Sequence, residues 1–315
     1  MDVNTSAASG HNASSTDWLL VTAPGLIWGA SFLFIAEGLQ SVAPNGVTFM
    51  RLFVGFATLA FFPAARKSME RSAWPRIALL AVVWFAFPLS MFPFAERHVS
   101  SALTGMLNAA TPLFAAVVAA VIARQVPSSR VRYGLLTGIA GSVLIALPSI
   151  HEGRSSTLGV VLILLACASY GFALNLARPL QQKYGALPVI WRGLGLAALL
   201  TAPLGLPDVA AAHWKAGPLL SLLTLGALGT GIAFVLVGMA AGRVGATRAS
   251  AAAFLIPPVS LLLGVVVRGE RVALLSLIGS AICVTGAWII RPQNKPQEQP
   301  KRAVMEYEQC AATRT

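Results

Sequence analysis

The stretch Ala95–Ile145, AERHVSSALTGMLNAATPLFAAVVAAVIARQVPSSRVRYGLLTGIAGSVLI, decides the fold, because a related stretch returns without gaps at Ala240–Ile290. Both stretches are hydrophobic, and their identical pairs, 145 positions apart, include two pairs of glycines and the prolines Pro112 and Pro257. Glycine and proline fix backbone geometry, so their coincidence is less easily random than that of Ala or Val. The sequence therefore predicts two related halves, an arrangement typical of carriers that rock one half against the other around a central site.

The composition indicates a membrane protein. Hydrophobic residues make up 56% of the chain, charged residues make up 11%, and the mean hydropathy is +0.73. A bilayer core about 30 Å thick needs about 20 apolar residues per helical span, and the apolar runs lack the alternation of barrel strands. We therefore expect an all-α polytopic membrane protein with ten transmembrane helices, numbered here as spans 1 to 10, at residues 18–38, 44–63, 74–94, 100–122, 130–148, 157–177, 186–206, 216–239, 246–267 and 272–290.

Ten spans divide into five and five, and the odd number in each half predicts two inverted five-helix repeats. The first repeat covers residues 18–148 and the second covers 157–290, while the polar tails 1–17 and 291–315 are expected to be disordered. With the N-terminus inside, 16 of the 23 Lys and Arg residues fall on the cytoplasmic side and five fall outside. Because basic residues mark cytoplasmic loops, we expect both termini in the cytoplasm and a multi-pass protein of the inner or plasma membrane.

Several function classes are excluded by what the sequence lacks. The net charge of +12 comes from cations spread over cytoplasmic loops, so nucleic-acid binding is not expected. Phosphate-loop, zinc-protease and serine-elbow motifs are absent, and Gly226–Gly231 lies inside a span, where it predicts close helix packing. The histidines and the cysteines Cys167, Cys283 and Cys310 are too scattered for a metal site. We expect no enzyme, no cofactor and no metal; a membrane-embedded enzyme and a non-transporting scaffold or sensor are the alternatives to a transporter.

Two arginines lie inside the predicted spans at similar depth. Arg51 is in span 2, and Arg192 is in span 7, which the chain enters from the opposite face. A buried cation costs at least about 2.5–3.5 kcal/mol on insertion scales, so each should face a partner or a wet cavity. Each guanidinium either attracts an anionic group of the substrate, such as a carboxylate, or reaches headgroups and backbone carbonyls at a neighbouring helix end.

Acidic residues are absent from the centres of the spans. Glu37 comes closest, about one turn from the outer end of span 1. Proton-driven pumps commonly use an embedded carboxylate or histidine as the relay. We therefore predict facilitated export or exchange, or proton coupling through Glu37 only.

Uncharged polar and aromatic side chains in spans 1, 4 and 6 are the remaining candidates for substrate contacts. In spans 1 and 4, spacings of three and four residues allow each set to share a helix face. Polar groups between aromatic walls suit a small amphipathic molecule. Their alternative role is hydrogen bonding between helices. Together with the two arginines, the predicted substrate-binding set is Trp28, Ser31, Phe32, Arg51, Thr104, Asn108, Thr111, Tyr170, Asn175 and Arg192.

Both halves contain short segments that follow the order of the motifs of a known transporter family. They are Ile27-Trp-Gly-Ala-Ser-Phe32, Val47-x-x-x-Arg51, Asn108-Ala-Ala-Thr-Pro-Leu-Phe114, Gly229-Thr-Gly-Ile-Ala233, Ile256-Pro-Pro258 and Gly269-Glu-Arg271, with the glycines of span 10. Through them, nearly all of residues 18–290 resembles the EamA-type family of the drug/metabolite transporter superfamily.

The resemblance implies a ten-span carrier of two inverted repeats that exports amino acids, other metabolites or drugs by alternating access. It places a substrate cavity between spans 1, 3, 4, 6, 8 and 9, so the expected partners are a small molecule and the bilayer, with the oligomeric state open. Nucleotide-sugar and sugar-phosphate carriers resemble the same architecture and form an alternative, although such ligands usually need more central cations. The chain departs from the pattern at Gln125, which leaves Glu270 without an acidic counterpart, so a helix-end or loop salt bridge is expected for Glu270.

Overall fold

The structure is a computed structural model that describes residues 15–151, 157–244 and 250–290. Within these ranges the regular elements are helices, as the composition predicts. The predictions for the tail residues 1–14 and 291–315 lie outside the described residues, as do the predictions for 152–156 and for the first residues of span 9, 246–249.

The helices follow the predicted spans, and several spans are built from more than one helix. The first half contains α1 (Ser15–Gly38), α2 (Pro44–Ala60), α3 (Trp74–Leu80), the π-helical turn Ala81–Ala86, α4 (Phe87–Ala95), α5 (Ser101–Asn108), α6 (Thr111–Ala123) and α7 (Ser129–His151). The second half contains α8 (Thr157–Tyr184), α9 (Ala186–Ala210), α10 (Ala216–Thr224), the π-helical turn Leu225–Ile232, α11 (Ala233–Val244), the 3₁₀ turn Ser250–Leu255, α12 (Ile256–Arg268) and α13 (Leu274–Ile290). Spans 3, 4, 8 and 9 are therefore interrupted, and the others are continuous.

Among the described residues, seven helical segments are long and apolar enough to cross a membrane. They are Leu19–Gly38, Arg71–Ala95, Ser101–Ala123, Ser129–Pro148, Thr157–Tyr184, Ala186–Ala210 and Ala216–Ala240. The apolar helices Ala252–Arg268 and Leu274–Ile290 are shorter, as is α2 with 17 residues. The chain is thus an all-α protein with several helices that can span a bilayer.

Prolines divide spans 4 and 9 at equivalent places. Pro112 and Pro257 lie in the first turn of α6 and α12, where a missing N–H would have no helical partner in any case. The ends of these two helices also correspond, because Arg124 and Gly269 both adopt the left-handed conformation, with φ of 50° and 63°. The backbone therefore repeats its irregularities at the spacing of 145 residues.

Glycines bring α7 and α13 into backbone contact. A Cβ atom on Gly134 would lie 2.9 Å from the carbonyl oxygen of Gly286, and one on Gly279 would lie 2.7 Å from that of Gly141. Gly134 and Gly141 precede Gly279 and Gly286 by 145 positions, so the second contact is the first with its partners exchanged. Such reciprocity is the property of a two-fold interface.

A second pair of equivalent contacts joins spans 1 and 6 to the interrupted spans. Gly29 of α1 packs on Val259 of α12, and Gly171 of α8 packs on Phe114 of α6; Cβ atoms on these glycines would lie 2.5 and 2.8 Å from the Cβ atoms of their partners. Phe114 and Val259 again stand 145 positions apart. With α2 packed against α9, these helices surround the centre of the bundle.

Candidate functional site

A cavity of about 760 Å³ occupies the centre of the bundle. Its walls come from spans 1, 2, 3, 4, 6, 8 and 9, and from the ends of α7 and α13 that face the loop between spans 4 and 5. Most of the lining is apolar, with aromatic side chains at one end and the alanines of α6 along one wall. A cavity of this size and character suits a small molecule with a substantial apolar part.

Packed aromatic rings form the first end of the cavity, which we name the aromatic end. Trp28 meets Phe234 edge to face, with ring centres 5.7 Å apart. Phe92 meets Phe32 edge to face at 5.6 Å and stacks on Tyr170 at 6.0 Å. Because these rings hold one another in favourable geometries, the wall is arranged before any ligand enters.

Arg51 places a guanidinium group in the wall of this cavity, with 7% of the residue exposed. Its Nε donates a hydrogen bond to the hydroxyl of Thr230 at 2.9 Å, and that hydroxyl donates to the carbonyl of Leu225 at 3.3 Å. Thr230 and Leu225 both belong to the π-helical turn Leu225–Ile232. Neither terminal nitrogen of Arg51 hydrogen-bonds to a described residue, so both remain available to a ligand in the cavity.

The glycine-rich stretch Gly226–Gly231 packs this turn against α2. A Cβ atom on Gly226 would lie 3.2 Å from the carbonyl oxygen of Arg51, and one on Gly55 would lie 2.9 Å from the Cβ of Thr230. The prediction of close helix packing for this stretch is confirmed. The close approach is also what brings Thr230 within reach of Arg51.

A few polar groups accompany Arg51 in the lining. The indole nitrogen of Trp28 donates to the carbonyl of Gly229 at 3.0 Å, and Ser31 donates back to its own helix. Asn108 accepts a bond from the hydroxyl of Thr111 at 3.3 Å, and its amide nitrogen makes no hydrogen bond to a described residue. Over the described part of the chain, no group of three His, Cys, Asp or Glu side chains could hold a metal ion.

The cavity gathers most of the predicted substrate-binding set. Its lining includes Trp28, Ser31, Phe32, Arg51, Asn108, Thr111 and Tyr170. Thr104 is buried in α5 and donates to the carbonyl of Ser100 at 2.9 Å. Asn175 donates to the carbonyl of Ala115 at 3.0 Å and so ties α8 to α6, which is the hydrogen bonding between helices that formed the alternative role.

The side chain of Arg192 hydrogen-bonds to the backbone of the segment that follows α2. Its Nη2 donates to the carbonyl of Lys67 at 2.7 Å, and its Nη1 donates to the carbonyls of Ala65 and Pro188 at 3.3 and 3.2 Å. These bonds to backbone carbonyls near a helix end match the second interpretation of the intramembrane arginines. Arg51 instead lies in the lining of the cavity.

A charged network lies beyond the aromatic end, at the predicted outer ends of spans 1, 4 and 9; we name it the outer gate. Arg268 at the end of α12 pairs with Glu37 at the end of α1, and its Nε lies 3.4 Å from Glu270. Glu270 accepts bonds from the backbone amides of Ser101 and Ala102 at 3.1 and 2.9 Å. A carboxylate at the first turn of α5 satisfies amides that have no helical partner, so Glu270 has the helix-end role that its position predicts.

The opposite end of the cavity reaches the loop between spans 4 and 5. Gln125, Val126, Pro127 and Ser128 of this loop belong to the lining. The inner parts of α6, α7, α11 and α13 complete this end. The cavity therefore extends from the aromatic end toward the side on which the basic loops lie.

Sequence analysis did not single out Thr230 or Glu96. The contact of Thr230 with Arg51 depends on the π-helical turn, for which the sequence offers glycines but no specific signal. Glu96 stands directly after span 3, and both of its carboxylate oxygens are buried without a hydrogen-bond partner among the described residues. Its only sequence signal is its position next to an apolar span, which does not reveal whether neighbouring helices cover it.

The model of one transporter family matches the chain twice. The EamA-like transporter family matches residues 17–147 and again residues 157–291, which together make up most of the chain. This chain belongs to the EamA-like transporter family. The predicted resemblance is thereby confirmed, and the protein is a multi-pass membrane transporter.

Individual relatives agree with this family. The chain is 27% identical over 282 residues to a probable terminal-alkyne amino-acid exporter of Streptantibioticus cattleyicolor, covering 88% of this chain and 93% of the relative. It is 26% identical over 266 residues to the uncharacterized transporter YdfC of Bacillus subtilis, covering 82% and 86%. A solved crystal structure of a protein shares the fold with a TM-score of 0.61 and 18% identity, covering 88% of this chain and 97% of that one.

Proposed function

We propose that this EamA-like transporter exports a small carboxylate-bearing amphipathic compound, such as an amino acid with an apolar side chain or a similar drug-like molecule. The observation that carries the proposal is Arg51, a buried cation with two unbonded terminal nitrogens in an otherwise apolar, aromatic-walled cavity. A guanidinium binds a carboxylate through two parallel hydrogen bonds, while the aromatic rings bind the apolar part. The terminal-alkyne amino acid in the name of one relative is a molecule of this kind.

The positive charge of the cavity lining favours binding of the carboxylate group of such a molecule. Arg51 supplies a positive charge, and the described lining contains no Asp or Glu. The ammonium group of an amino acid would meet aromatic faces, such as those of Trp28 and Tyr170, which attract cations. We assign substrate contact to Trp28, Ser31, Phe32, Arg51, Asn108, Thr111 and Tyr170, and structural roles to Thr104, Asn175 and Arg192.

We further infer ten spans arranged as two inverted five-helix repeats, with both termini in the cytoplasm of a cell whose inner or plasma membrane holds the protein. The reciprocal glycine contacts between α7 and α13 support this arrangement, because they obey a two-fold axis. The double match to one family model supports it independently. The excess of Lys and Arg in the loops on one side supports the orientation.

The two ends of the cavity support a mechanism of alternating access. The outer gate lies beyond the aromatic end, with Glu270 bound to α5 and Arg268 bound to Glu37. The other end reaches Gln125–Ser128, on the proposed cytoplasmic side. We therefore infer that this conformation is the one that receives substrate from the cytoplasm, and that export requires the outer gate to open while the inner end closes.

A sugar-phosphate or nucleotide-sugar carrier fits this cavity less well. A phosphate ligand carries about two negative charges and is usually held by more than one cation. The second intramembrane arginine, Arg192, is bound to backbone carbonyls of the segment after α2. A non-transporting scaffold or sensor would need neither the cavity nor the gate.

Counterflow in proteoliposomes tests the proposed function. Purified protein is reconstituted with unlabelled L-phenylalanine, L-leucine or L-propargylglycine inside, and uptake of the same labelled compound is measured against protein-free liposomes. We expect uptake of at least one of the three. Filling the cavity with Ala116→Trp should abolish that uptake, because Ala116 lines the wall.

The matched control is Leu199→Trp, since Leu199 is 70% exposed on the outer surface of α9. This variant adds a similar bulk outside the cavity and should transport as the parent does. Equal transport by the two tryptophan variants would contradict the assignment of the cavity as the substrate path. Absence of uptake of all three compounds would contradict the proposed substrate class.

A further inference from the structure

Glu96 is a buried carboxyl group that the proposed function leaves without a role. It stands one helical turn beyond Phe92, a lining residue of the aromatic end, and its backbone amide donates to the carbonyl of Phe92 at 2.9 Å. Both side-chain oxygens are buried, and neither has a hydrogen-bond partner among the residues described. An ionised carboxylate without a partner is costly to bury, so such a group takes up a proton instead.

The surroundings of Glu96 lie between the outer gate and the substrate cavity. The charges that act on Glu96 are those of Glu270 and Arg268 at the end of α12 and of Arg51 on α2. Of the other titratable groups nearby, Glu37 on α1 pairs with Arg268, Tyr170 on α8 stacks on Phe92, and Arg97 and His98, which follow Glu96 in the chain, are exposed. Glu37 and Arg268 bind each other, and Glu270 binds the first amides of α5. The three charged groups of the outer gate are therefore engaged with one another or with α5, and none of them is a hydrogen-bond partner of Glu96.

Electrostatics favour the neutral form of Glu96 while the gate is closed. Burial raises the pKa of Glu96 well above its ordinary value, and the negative charge of Glu270 raises it further, whereas Arg268 and Arg51 act in the opposite direction. The close packing of α5 and α12 leaves little room for water, since a Cβ atom on Gly264 would lie 2.9 Å from the Cβ of Ala102. Opening the gate would hydrate this region and remove the main cause of the shift.

We propose that Glu96 is the proton-binding site that couples the outer gate to the proton gradient, neutral while the gate is closed over the empty carrier and ionised when the gate is open. This inference rests on the proposed export function. In the outward-open state, the Glu96 carboxylate takes one proton from external water and becomes a neutral carboxyl that can be buried. In the inward-open state, the ammonium group of the entering amino acid, on the ring of Tyr170, favours the ionised form of Glu96, so the proton leaves to water in the cavity as the substrate binds. One proton thus enters for each substrate molecule exported.

The direction of the pH effect follows from this order. The closed gate binds the proton more tightly than the open gate, so lowering the external pH favours closure of the empty carrier. Protonation of Glu96 stabilises the closed gate fully at a pH below the pKa of Glu96 in the open state. This stabilisation is lost as the pH rises through the raised pKa of Glu96 in the closed state. Protons from outside therefore drive the return of the carrier to the state that receives substrate.

The test uses Glu96→Gln, which keeps the shape of the side chain but cannot ionise. Proteoliposomes carry the full chain, the membrane potential is clamped with potassium and valinomycin, and labelled L-phenylalanine, L-leucine and L-propargylglycine are the probes. In the parent protein, a gradient of one pH unit should drive accumulation of a transported probe against its gradient by up to about tenfold, for one proton per substrate molecule. Glu96→Gln should still catalyse counterflow without a gradient and should show no accumulation.

Two further variants separate this role from a general loss of charge. Glu70→Gln removes an exposed carboxylate that binds Lys183 on the predicted cytoplasmic side, and it should accumulate the probe as the parent does. Glu37→Gln loosens the outer gate and should slow transport, while accumulation still depends on the gradient. Gradient-driven accumulation by Glu96→Gln, or its absence from the parent when counterflow is present, would overturn the inference.

Infrared difference spectroscopy keeps the inference testable if no probe is transported. The spectrum of the parent at about pH 5 minus that at about pH 8 is compared with the same difference for Glu96→Gln. We expect a carboxylic C=O band that titrates above the ordinary glutamate range in the parent and is lost in the variant. Lack of counterflow for every probe would then count against the proposed function alone, whereas identical infrared differences in parent and variant would count against Glu96 as the proton site.

Discussion

Arg51 and Arg192 lie at similar predicted depth in corresponding spans of the two halves, and they have different environments, because Arg51 is buried whereas Arg192 is partly exposed. Arg51 keeps one bond, to Thr230, and turns its terminal nitrogens to the cavity. The terminal nitrogens of Arg192 donate hydrogen bonds to the carbonyls of Ala65, Lys67 and Pro188. The contrast shows that the environment of an intramembrane arginine depends on the hydrogen-bond partners that neighbouring elements offer, and not on its depth in the membrane alone.

The neighbouring elements differ because the two halves diverge around the arginines. Opposite Arg51 lies the glycine-rich π-helical turn of span 8, which approaches closely and offers a single hydroxyl. Arg192 instead meets the segment after α2, where the 3₁₀ turn Pro63–Arg66 leaves carbonyls without helical partners. One half therefore presents its cation to the ligand, and the other half uses its cation to hold a loop.

Replacing Arg51 by Ala should give the largest effect on transport. Loss of a charge-assisted pair of bonds to a carboxylate amounts to about 3 kcal/mol, which corresponds to a reduction of about 100-fold in transport at subsaturating substrate. The abundance of the protein in the membrane should stay near that of the parent. Counterflow and quantified membrane levels measure the two quantities, and loss of folded protein would assign Arg51 the same structural role as Arg192.

Replacing Arg192 by Ala should mainly reduce stability. The carbonyls of Ala65 and Lys67 lose their donor, and we expect a cost of about 2 kcal/mol in unfolding free energy. Thermal unfolding in detergent measures the shift, and transport per folded molecule should change less than twofold. Transport that falls as far as in Arg51→Ala, with unchanged thermal stability, would refute the difference drawn between the two arginines.

Replacing Thr230 by Val tests whether the hydroxyl of Thr230 orients the guanidinium group of Arg51. The change keeps the side-chain volume but leaves the Nε of Arg51 without its acceptor, so the guanidinium should turn away from its position in the wall. We expect a reduction of about tenfold in apparent affinity, corresponding to about 1.4 kcal/mol. The concentration dependence of counterflow measures it. Thr58→Val, on the same packing face but bound only to its own helix, is the control and should behave as the parent.

Replacing Glu70 by Gln should give the smallest effect, although Glu70 lies close to the segment that Arg192 holds. The hydrogen bond from Lys183 lowers the pKa of Glu70, so any stabilisation is present above the ordinary pKa and is lost as the pH falls through the lowered value. Because both groups are exposed and screened, we expect no resolvable change in melting temperature at neutral pH. A clear decrease would show that this loop depends on more than Arg192.

Much of the architecture could be predicted from the sequence. The spacing of 145 residues anticipated the equivalent positions of Pro112 and Pro257, and the glycines matched at that spacing form the contacts between α7 and α13. These features are local requirements on the backbone, which single residues encode. The π-helical turns in spans 3 and 8 could not be predicted, because the apolar pattern of an α-helix tolerates them.

The site was predictable only in part. Trp28 and Ser31, three residues apart on α1, both line the cavity, as their spacing indicates. Asn175 lies five residues after Tyr170 and bonds to the carbonyl of Ala115, because α6 lies against that face of α8. Glu96 was overlooked because the sequence shows a carboxylate outside a span, and only the neighbouring helices bury it.

The glycine contacts between α7 and α13 have a mechanical consequence. Where two backbones touch without side chains between them, neither helix can slide or rotate without a steric clash, so α7 and α13 behave as one rigid unit. In the proposed alternating access, rocking then takes place on the opposite flank, where aromatic rings and alanines line the cavity. A single methyl group added at one of these glycines would disturb the packing of both halves at once, because each contact joins one half to the other.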